Sequence, residues 1–506
     1  MQLDLDFTIF TSEYDENEKK IVAKNFINSN SELKGLNFQY LIPEEFFEFI
    51  KEYKEIFKTN LSFLYIIKIL SFYKKIIEHK KDHKIFDLIL AIYFALYSNF
   101  DKKNQRKNLL EILIKLNEEI KIGIDELVNL SLKNNESKNP LDIQENILIS
   151  KFTGIKIEFT KNNDYLNFEE NEIIDEKIKQ NKNMEGNISF TTPFNKLINY
   201  IHFSLALNIP LIIEGQIGIG KKTAIRYLAN ILKLKEIYFS LSNTTTVEDL
   251  FCKTIPIQSE KGLEFKESRS RFLDAIDSSK YKTLENCIII IDNLQEASNN
   301  ILESLIPVFD ETKDKIFLPN GEIVSKRKFH IIAIYDQTSK GTNIKNFLPN
   351  SIKNSSLIFK CEQFLEEKNI LNIGKKILED KIDNYENFIN DFIEIYNYCQ
   401  NNHKKELFNF NDFTKYKKIS QINLTQSKNK NIIDNEILHQ IILLYRFTNL
   451  YDVKLISSKM GHLLTNDLWP QIEYTNKINN KISNYIKTHP TEPKEKEEKD
   501  KFLVTK

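Results

Sequence analysis

Apolar residues recur along the first 135 positions at the i, i+3, i+4 spacing of helices packed into a bundle. The stretches FFEFIKEYKEIF, SFLYIIKILSFYKKIIEH and IFDLILAIYFALYSNF place aromatic and aliphatic side chains on one face and lysines and glutamates between them. From about residue 136 to 187 the pattern dissolves into Asn, Lys, Glu and Asp, which predicts a linker, partly disordered; only ILISKFTGIKIEF suggests a short strand pair. Phe194 to Leu207 then returns to amphipathic helical spacing. A different rhythm follows, in which Leu211-Ile212-Ile213 and CIIII (287–291) are unbroken apolar runs of the kind buried on both faces of a parallel sheet, and EIYFSLS (236–242) alternates as a strand with one wet face. Thr246 with Asp249 three places on predicts a capped short helix, Arg271 to Ile276 and Ile301 to Phe309 read as helices, and IFLPNGEIV reads as a hairpin turning at Asn320-Gly321 before a core strand from Phe329 to Tyr335. Residues 365–400 and 436–470 are helical in pattern, and the charged, Pro-interrupted stretch from Thr488 reads as disordered.

The strand-to-helix junction at Gly215 carries the clearest chemistry. Of twelve glycines in 506 residues, three (Gly215, Gly218, Gly220) fall within GQIGIGKKT. Glycines between a buried strand and a helix let successive backbone N–H groups curl around phosphate oxygens, and in a G-x-x-x-x-G-K loop the lysine reaches the β and γ phosphates. The expected nucleotide-binding residues are therefore Gly215, Gln216, Ile217, Gly218, Ile219, Gly220, Lys221, Lys222 and Thr223, with ATP and Mg²⁺ as the bound groups. The place after the loop lysine normally supplies a Ser or Thr hydroxyl to Mg²⁺, but here it holds Lys222, and Thr223 stands one position late. Asp292 ends the apolar run 287–291, where a carboxylate would hold the metal shell, so Thr223 and Asp292 are the expected metal ligands. Next to it, where a hydrolytic site uses a glutamate to take a proton from water, stands Asn293; Glu296, one turn on, is the stand-in candidate.

Charge and composition narrow the picture without redirecting it. Lys plus Arg and Asp plus Glu each total 71, so no basic field argues for nucleic acid. Cys252, Cys287, Cys361 and Cys399 are dispersed with no metal-ligand spacing, and His79 and His83, set among lysines, read as a solvated face. The acidic start MQLDLDF lacks the basic region of a signal peptide, and the longest apolar run, Leu88 to Tyr97, is too short for a bilayer. An intracellular protein, cytoplasmic or nuclear and with no membrane contact, is the expectation. No Asn-Lys-x-Asp tetrapeptide reads guanine.

Taken together, PLIIEGQIGIGKKTAIRYLA, TTTVEDLF, IIIIDNLQEASNNILESLIPVFD, and FLPNGEIV followed by FHIIAIYD and FLPNSIKNS resemble an AAA+ module of the dynein-related group, midasin-like and akin to the giant AAA+ ubiquitin ligases. The resemblance implies an α/β fold: a P-loop AAA+ core with a parallel sheet flanked by helices over 188–362, plus N-terminal and C-terminal helical regions. Residues 363–487 would be a helical lid, and residues 1–135 resemble the lid of a preceding module, which would make the chain a fragment or a shrunken relative of a six-module ring. Partners implied are other AAA+ modules or subunits and a protein substrate; no Cys/His cluster carries over ligase activity. The resemblance also implies altered hydrolysis. The asparagine that positions the attacking water corresponds to Asp336, whose carboxylate repels phosphate. The arginine finger corresponds to Ser355 with Lys353 nearby, and the lid arginine to Asn411. Two readings follow: a weakly hydrolysing ATPase-type module of a protein-remodelling assembly, and a non-hydrolysing scaffold in which ATP orders core and lid.

Overall fold

The computed structural model describes residues 44–58, 61, 63–80, 85–97, 100, 103–116, 139–144, 147–158, 188–259, 262–279, 287–311, 313–318, 321–337, 344–361, 367–378, 385–401, 410–425 and 442–443. The chain divides into two compact units, Met1–Leu365 and Glu366–Lys506. His83, Trp469, and the segment from Thr488 lie outside the described residues, as does most of 436–470.

Among the described residues of the first unit, the helices α1 (Glu44–Phe57), α2 (Phe63–Lys80), α3 (Ile85–Leu96) and α4 (Lys103–Leu116) precede a three-stranded antiparallel sheet of β1 (Leu141–Gln144), β2 (Ile147–Ser150) and β3 (Lys156–Glu158). That sheet occupies part of the expected linker. ILIS and KIE pair because Leu141, Leu148 and Ile155 have somewhere apolar to go, being buried in the same core as α5 (Thr192–Ala206).

Five parallel strands form the main sheet in the order β12 (Leu357–Lys360), β4 (Leu211–Gly215), β11 (His330–Asp336), β8 (Cys287–Asp292), β5 (Lys235–Ser240). Alternate residues of the apolar runs leave on opposite faces. Leu211, Ile213, Ile288, Ile290, Ile332 and Ile334 join α5, α6 (Lys221–Ile231) and the four N-terminal helices in one core. Ile212, Ile289, Ile291, Ala333 and Tyr335 join the other, with α8 (Arg271–Ile276), which α7 (Val247–Leu250) precedes, and α9 (Asn299–Phe309). Burial on both faces is why these strands read as continuous aliphatic runs. Helix α3 is buried on every side, and its Phe94 stacks on Phe203 of α5 with ring centroids 3.8 Å apart. The N-terminal helices thus share a core with the sheet instead of closing one of their own.

Thr246 caps α7 through a reciprocal box with Asp249. A ribbon of β6 (Cys252–Ser259) and β7 (Gly262–Arg269), not expected from the sequence, leaves Ile255 and Phe265 exposed. In the hairpin of β9 (Lys315–Phe317) and β10 (Ile323–Ser325), Leu318 N–H donates to Glu322 O, Gly321 N–H donates to Leu318 O, and Gly321 sits at φ 84°, a left-handed position. The glycine of the expected Asn320-Gly321 turn is left-handed, and Asn320 lies outside the described residues. Short helices α10 (Ile344–Phe347) and α11 (Asn350–Ser355) lead into β12. The second unit packs α12 (Glu367–Leu378), α13 (Tyr385–Asn401) and α14 (Asn411–Thr425) around Phe388, Phe392, Phe413 and Tyr416. At Gly374 an added Cβ would lie 2.8 Å from Ile389 Cγ1, so α12 and α13 touch at that glycine.

Candidate functional site at the carboxyl ends of the strands

Parallel strands present their carboxyl ends to one edge, and in this sheet the ends of β4, β11 and β8 are neighbours. In the strand register Gly215 lies opposite Asp336, and Asp292 lies opposite Ser240 of β5. Ligands of open α/β sheets bind at this edge. The expected loop and both expected carboxylates therefore meet, although 70 to 120 residues separate them in the chain.

The loop has the backbone of an anion cradle. Gly218 and Gly220 sit at φ 83° and 92°, values that L side chains rarely adopt, and Gly220 caps α6 without a side chain. The first N–H groups of a helix have no intrahelical acceptor, and the macrodipole adds partial positive charge there. At Gly215 a Cβ would fall 2.7 Å from Ile219 Cδ1 and 2.8 Å from Cys361 Cβ, which fixes how closely the loop is seated on β12's end. Gln337 clamps the floor from beneath: its N–H donates to Gly215 O at 3.0 Å and its side-chain amide to Glu214 Oε1 at 2.8 Å. Such a cradle can hold phosphate oxygens.

Lys221 is buried and turned back on the loop. Its ammonium donates to Gly215 O and Gln216 O, each at 2.6 Å, and pairs with Asp336 Oδ1 at 2.6 Å; the two side chains are 5% and 10% exposed. The Asp336 carboxylate thus has a cation beside it, and the like-charge repulsion expected from the sequence is offset through Lys221. Asp336 N–H donates to Gln295 Oε1 at 2.9 Å, so Gln295 reaches this edge of the sheet while Glu296, the expected stand-in base, is exposed at the end of the 3-10 turn Leu294–Glu296.

Lys222 makes the second cross-link. Its ammonium lies 2.5 Å from Asp292 Oδ2 and 5.4 Å from the centroid of the Tyr238 ring, whose hydroxyl donates to the same carboxylate oxygen. Burial works against the Lys222 charge, but the hydrogen bonds to Asp292 and Tyr238 outweigh it, and its pKa is raised. Asp292 is 3% exposed at its side chain, and its Oδ1 is buried without a partner. Thr223, the other expected metal ligand, is exposed on α6. Among the described residues no three His, Cys, Asp or Glu side chains cluster as metal ligands. Mg²⁺ takes a near-octahedral shell of oxygens. These residues fit that shell poorly: the one accessible Asp292 oxygen is taken by an ammonium and a phenol, and the hydroxyl position holds a lysine.

Asn293 sits at φ 56°, ψ 45°, a left-handed conformation that Asn tolerates and a glutamate rarely adopts, and its amide donates to Ser240 Oγ at 3.1 Å. Ser355, at the expected finger position, spends its hydroxyl on Ser351 O and Ile352 O of α11. The buried ammonium of Lys68 from α2 caps the end of that helix at Lys353 O, 3.0 Å, and Ser356 O, 2.6 Å, and burial pushes its pKa down to about 8. Asn411 opens α14 in the second unit. The sequence reading did not find Tyr238, Gln295 or Gln337. All three reach the site from other strands or turns, and no local motif announces them.

Among the described residues no helix is long and apolar enough to cross a membrane. The solved structure of NtrX from Brucella abortus is 11% identical, with a TM-score of 0.33 over 52% of this chain and 58% of that one. The chain is 25% identical to midasin of Dictyostelium discoideum over 146 residues, 28% of this chain and 2% of that protein. It is 26% identical to midasin of Giardia intestinalis over 156 residues, 30% of this chain and 3% of that one. The matched stretch is thus a few per cent of the length of these relatives. Residues 210–349 match the model of the AAA domain of the dynein-related subfamily, and over that stretch the chain is an AAA domain of this subfamily.

Proposed function

We propose that residues 188–362 form an ATP-binding module that hydrolyses its nucleotide slowly or not at all and serves as one module of a larger assembly acting on a protein substrate. The amides from Gly215 to Thr223 cradle the phosphates, and Lys221 exchanges part of its contact with Asp336 for the β and γ phosphates. The single observation that carries the reading is the Lys221–Asp336 pair: the loop lysine is engaged by a carboxylate that stands at the strand end where the resemblance has a water-positioning asparagine. With Asn293 turned to Ser240 and Glu296 exposed, the carboxylate left at this strand end is that of Asp336, and the ammonium of Lys221 holds it as an ion pair, a poor base for taking a proton from water. A site that binds without turning over makes ATP a ligand that stabilises the folded state by mass action.

ATP affinity and ATPase rate of the full chain, each beside Lys221→Ala, test the proposal. Saturable ATP binding that the variant loses, with turnover at least ~10² below the 1 s⁻¹ at the low end of ordinary enzymes, is the expected result. Ordinary turnover that disappears in Lys221→Ala would make this an active motor module; no adenine-nucleotide binding would end the proposal.

A further inference from the structure

Lys222 occupies the place of the metal-holding hydroxyl and points its ammonium at the carboxylate that would hold the metal shell. Three observations bear on what this does. Asp292 is almost wholly buried, so its charge requires a cation close by, and Lys222 is the cation within ion-pair distance among the described residues. Tyr238 holds the same carboxylate oxygen from β5 and lies under the Lys222 ammonium, so the lysine is located on two sides. The other carboxylate oxygen is buried and faces no donor, which leaves no second open oxygen to recruit a hydrated ion. An ammonium only donates hydrogen bonds, so it cannot serve a metal shell as a ligand, but it can bridge a carboxylate and a phosphate oxygen.

We propose that this module takes its nucleotide without a divalent cation, the Lys222 ammonium held by Asp292 and Tyr238 supplying the charge that Mg²⁺ supplies in P-loops with Ser or Thr at this position. The inference rests on the phosphate-binding role given above to the loop 215–223. One positive charge replaces two, so β and γ oxygens are drawn together less strongly than by a bridging metal, and binding persists while phosphoryl transfer is disfavoured.

Titration of the full chain with ADP, in excess Mg²⁺ and in excess EDTA, reads the proposal directly. Chelation is expected to change Kd by less than about threefold, whereas in Lys222→Thr it weakens binding at least about tenfold. Electron paramagnetic resonance with Mn²⁺ gives a second readout: wild type with ADP should leave Mn²⁺ free, and Lys222→Thr with ADP should hold it. Loss of ADP binding by wild type on chelation, or Mn²⁺ retained by its nucleotide complex, overturns the inference while leaving nucleotide binding intact. A Lys222→Thr variant as indifferent to metal as wild type overturns the role of the ammonium. Absence of ADP binding under both conditions removes the nucleotide-binding reading itself, and this inference with it.

Discussion

Replacing Asp336 by Asn changes one atom at the end of β11 and separates two roles of the loop lysine. In the native protein the ammonium is shared among Asp336 Oδ1, Gly215 O and Gln216 O, all at 2.6 Å. In the proposed binding mode a γ phosphate at this edge would meet the Asp336 carboxylate. Two unit charges of like sign about 5 Å apart, at an effective dielectric of about 20, repel by roughly 3 kcal/mol. A β phosphate lies nearer the loop amides and feels less of this. Asp336→Asn removes the repulsion and also releases Lys221 from its counter-ion. Both nucleotides should therefore bind more tightly, and ATP should gain over ADP by at least about tenfold, a cautious share of the hundredfold that 3 kcal/mol would give.

The free protein bears the opposite effect. Lys221 keeps two carbonyl acceptors but loses its anion in a site that is almost closed to water, so unfolding free energy should fall by about 3 kcal/mol, at the lower end for a buried pair broken on one side. Calorimetric titration with ATP and with ADP, together with thermal unfolding with and without nucleotide, measures both halves. An ATP-to-ADP affinity ratio unchanged by the substitution would show that Asp336 does not face the third phosphate. Weaker binding of both nucleotides would show that the lysine needs its carboxylate partner in order to be presented.

Two further outcomes follow from packing and burial. Gly215→Ala should destabilise the first unit by about 1–3 kcal/mol and weaken ADP binding, since the Ile219 side chain can swing aside but Cys361 Cβ, fixed to the backbone of β12's end, cannot; denaturant melts and the same titration check it. His202 is fully buried on α5 against Leu148 O, and burial pushes its pKa down to about 4. Its folded pKa lies below the unfolded value near 6.5, so its contribution is complete above that pH and is lost as pH falls towards 4. Between pH 7 and pH 5 the loss is about 2 kcal/mol. His202→Gln, which keeps a donor for Leu148 O but does not titrate, should remove that part of the acid sensitivity in denaturant melts at the two pH values.

Much of the sheet was legible because its strands are buried on both faces and need aliphatic residues at every position, as Cys287 to Ile291 show. The loop was legible for a related reason, since positive φ at Gly218 and Gly220 restricts the residue type. Thr246 with Asp249 was legible as local chemistry confined to four residues. What could not be read were choices of partner across the chain. Strand order sets β11 between β4 and β8, which brings Lys221 to Asp336 and Lys222 to Asp292; nothing within either segment states it. The β6–β7 ribbon was missed because two strands exposed to solvent carry no apolar run, and Pro256 interrupts what alternation there is. The N-terminal helices were legible as helices, but α3, apolar on every side, was the sign that they would share the core of the sheet.

The departures around the loop make sense as a set when their charges are added. With a hydroxyl at 222 and an amide at 336, the lysine at 221 and the aspartate at 292 already sum to zero. This chain adds one positive charge at 222 and one negative charge at 336, and the sum stays zero. Yet the pairing is crossed. Each lysine faces the carboxylate at the end of a different strand, Lys221 that of β11 and Lys222 that of β8, so each buried carboxylate has its own cation. A carboxylate at 336 without the lysine at 222 would leave an excess negative charge among side chains 3–10% exposed, an arrangement that destabilises a fold by several kcal/mol, whereas Lys222 is itself 46% exposed. Together the two changes keep the site neutral, and they engage in ion pairs the two carboxylates, Asp292 and Asp336, that the proposed reading places at the metal and at the attacking water. On the proposed reading, phosphate binding without turnover would follow from a single exchange of charge.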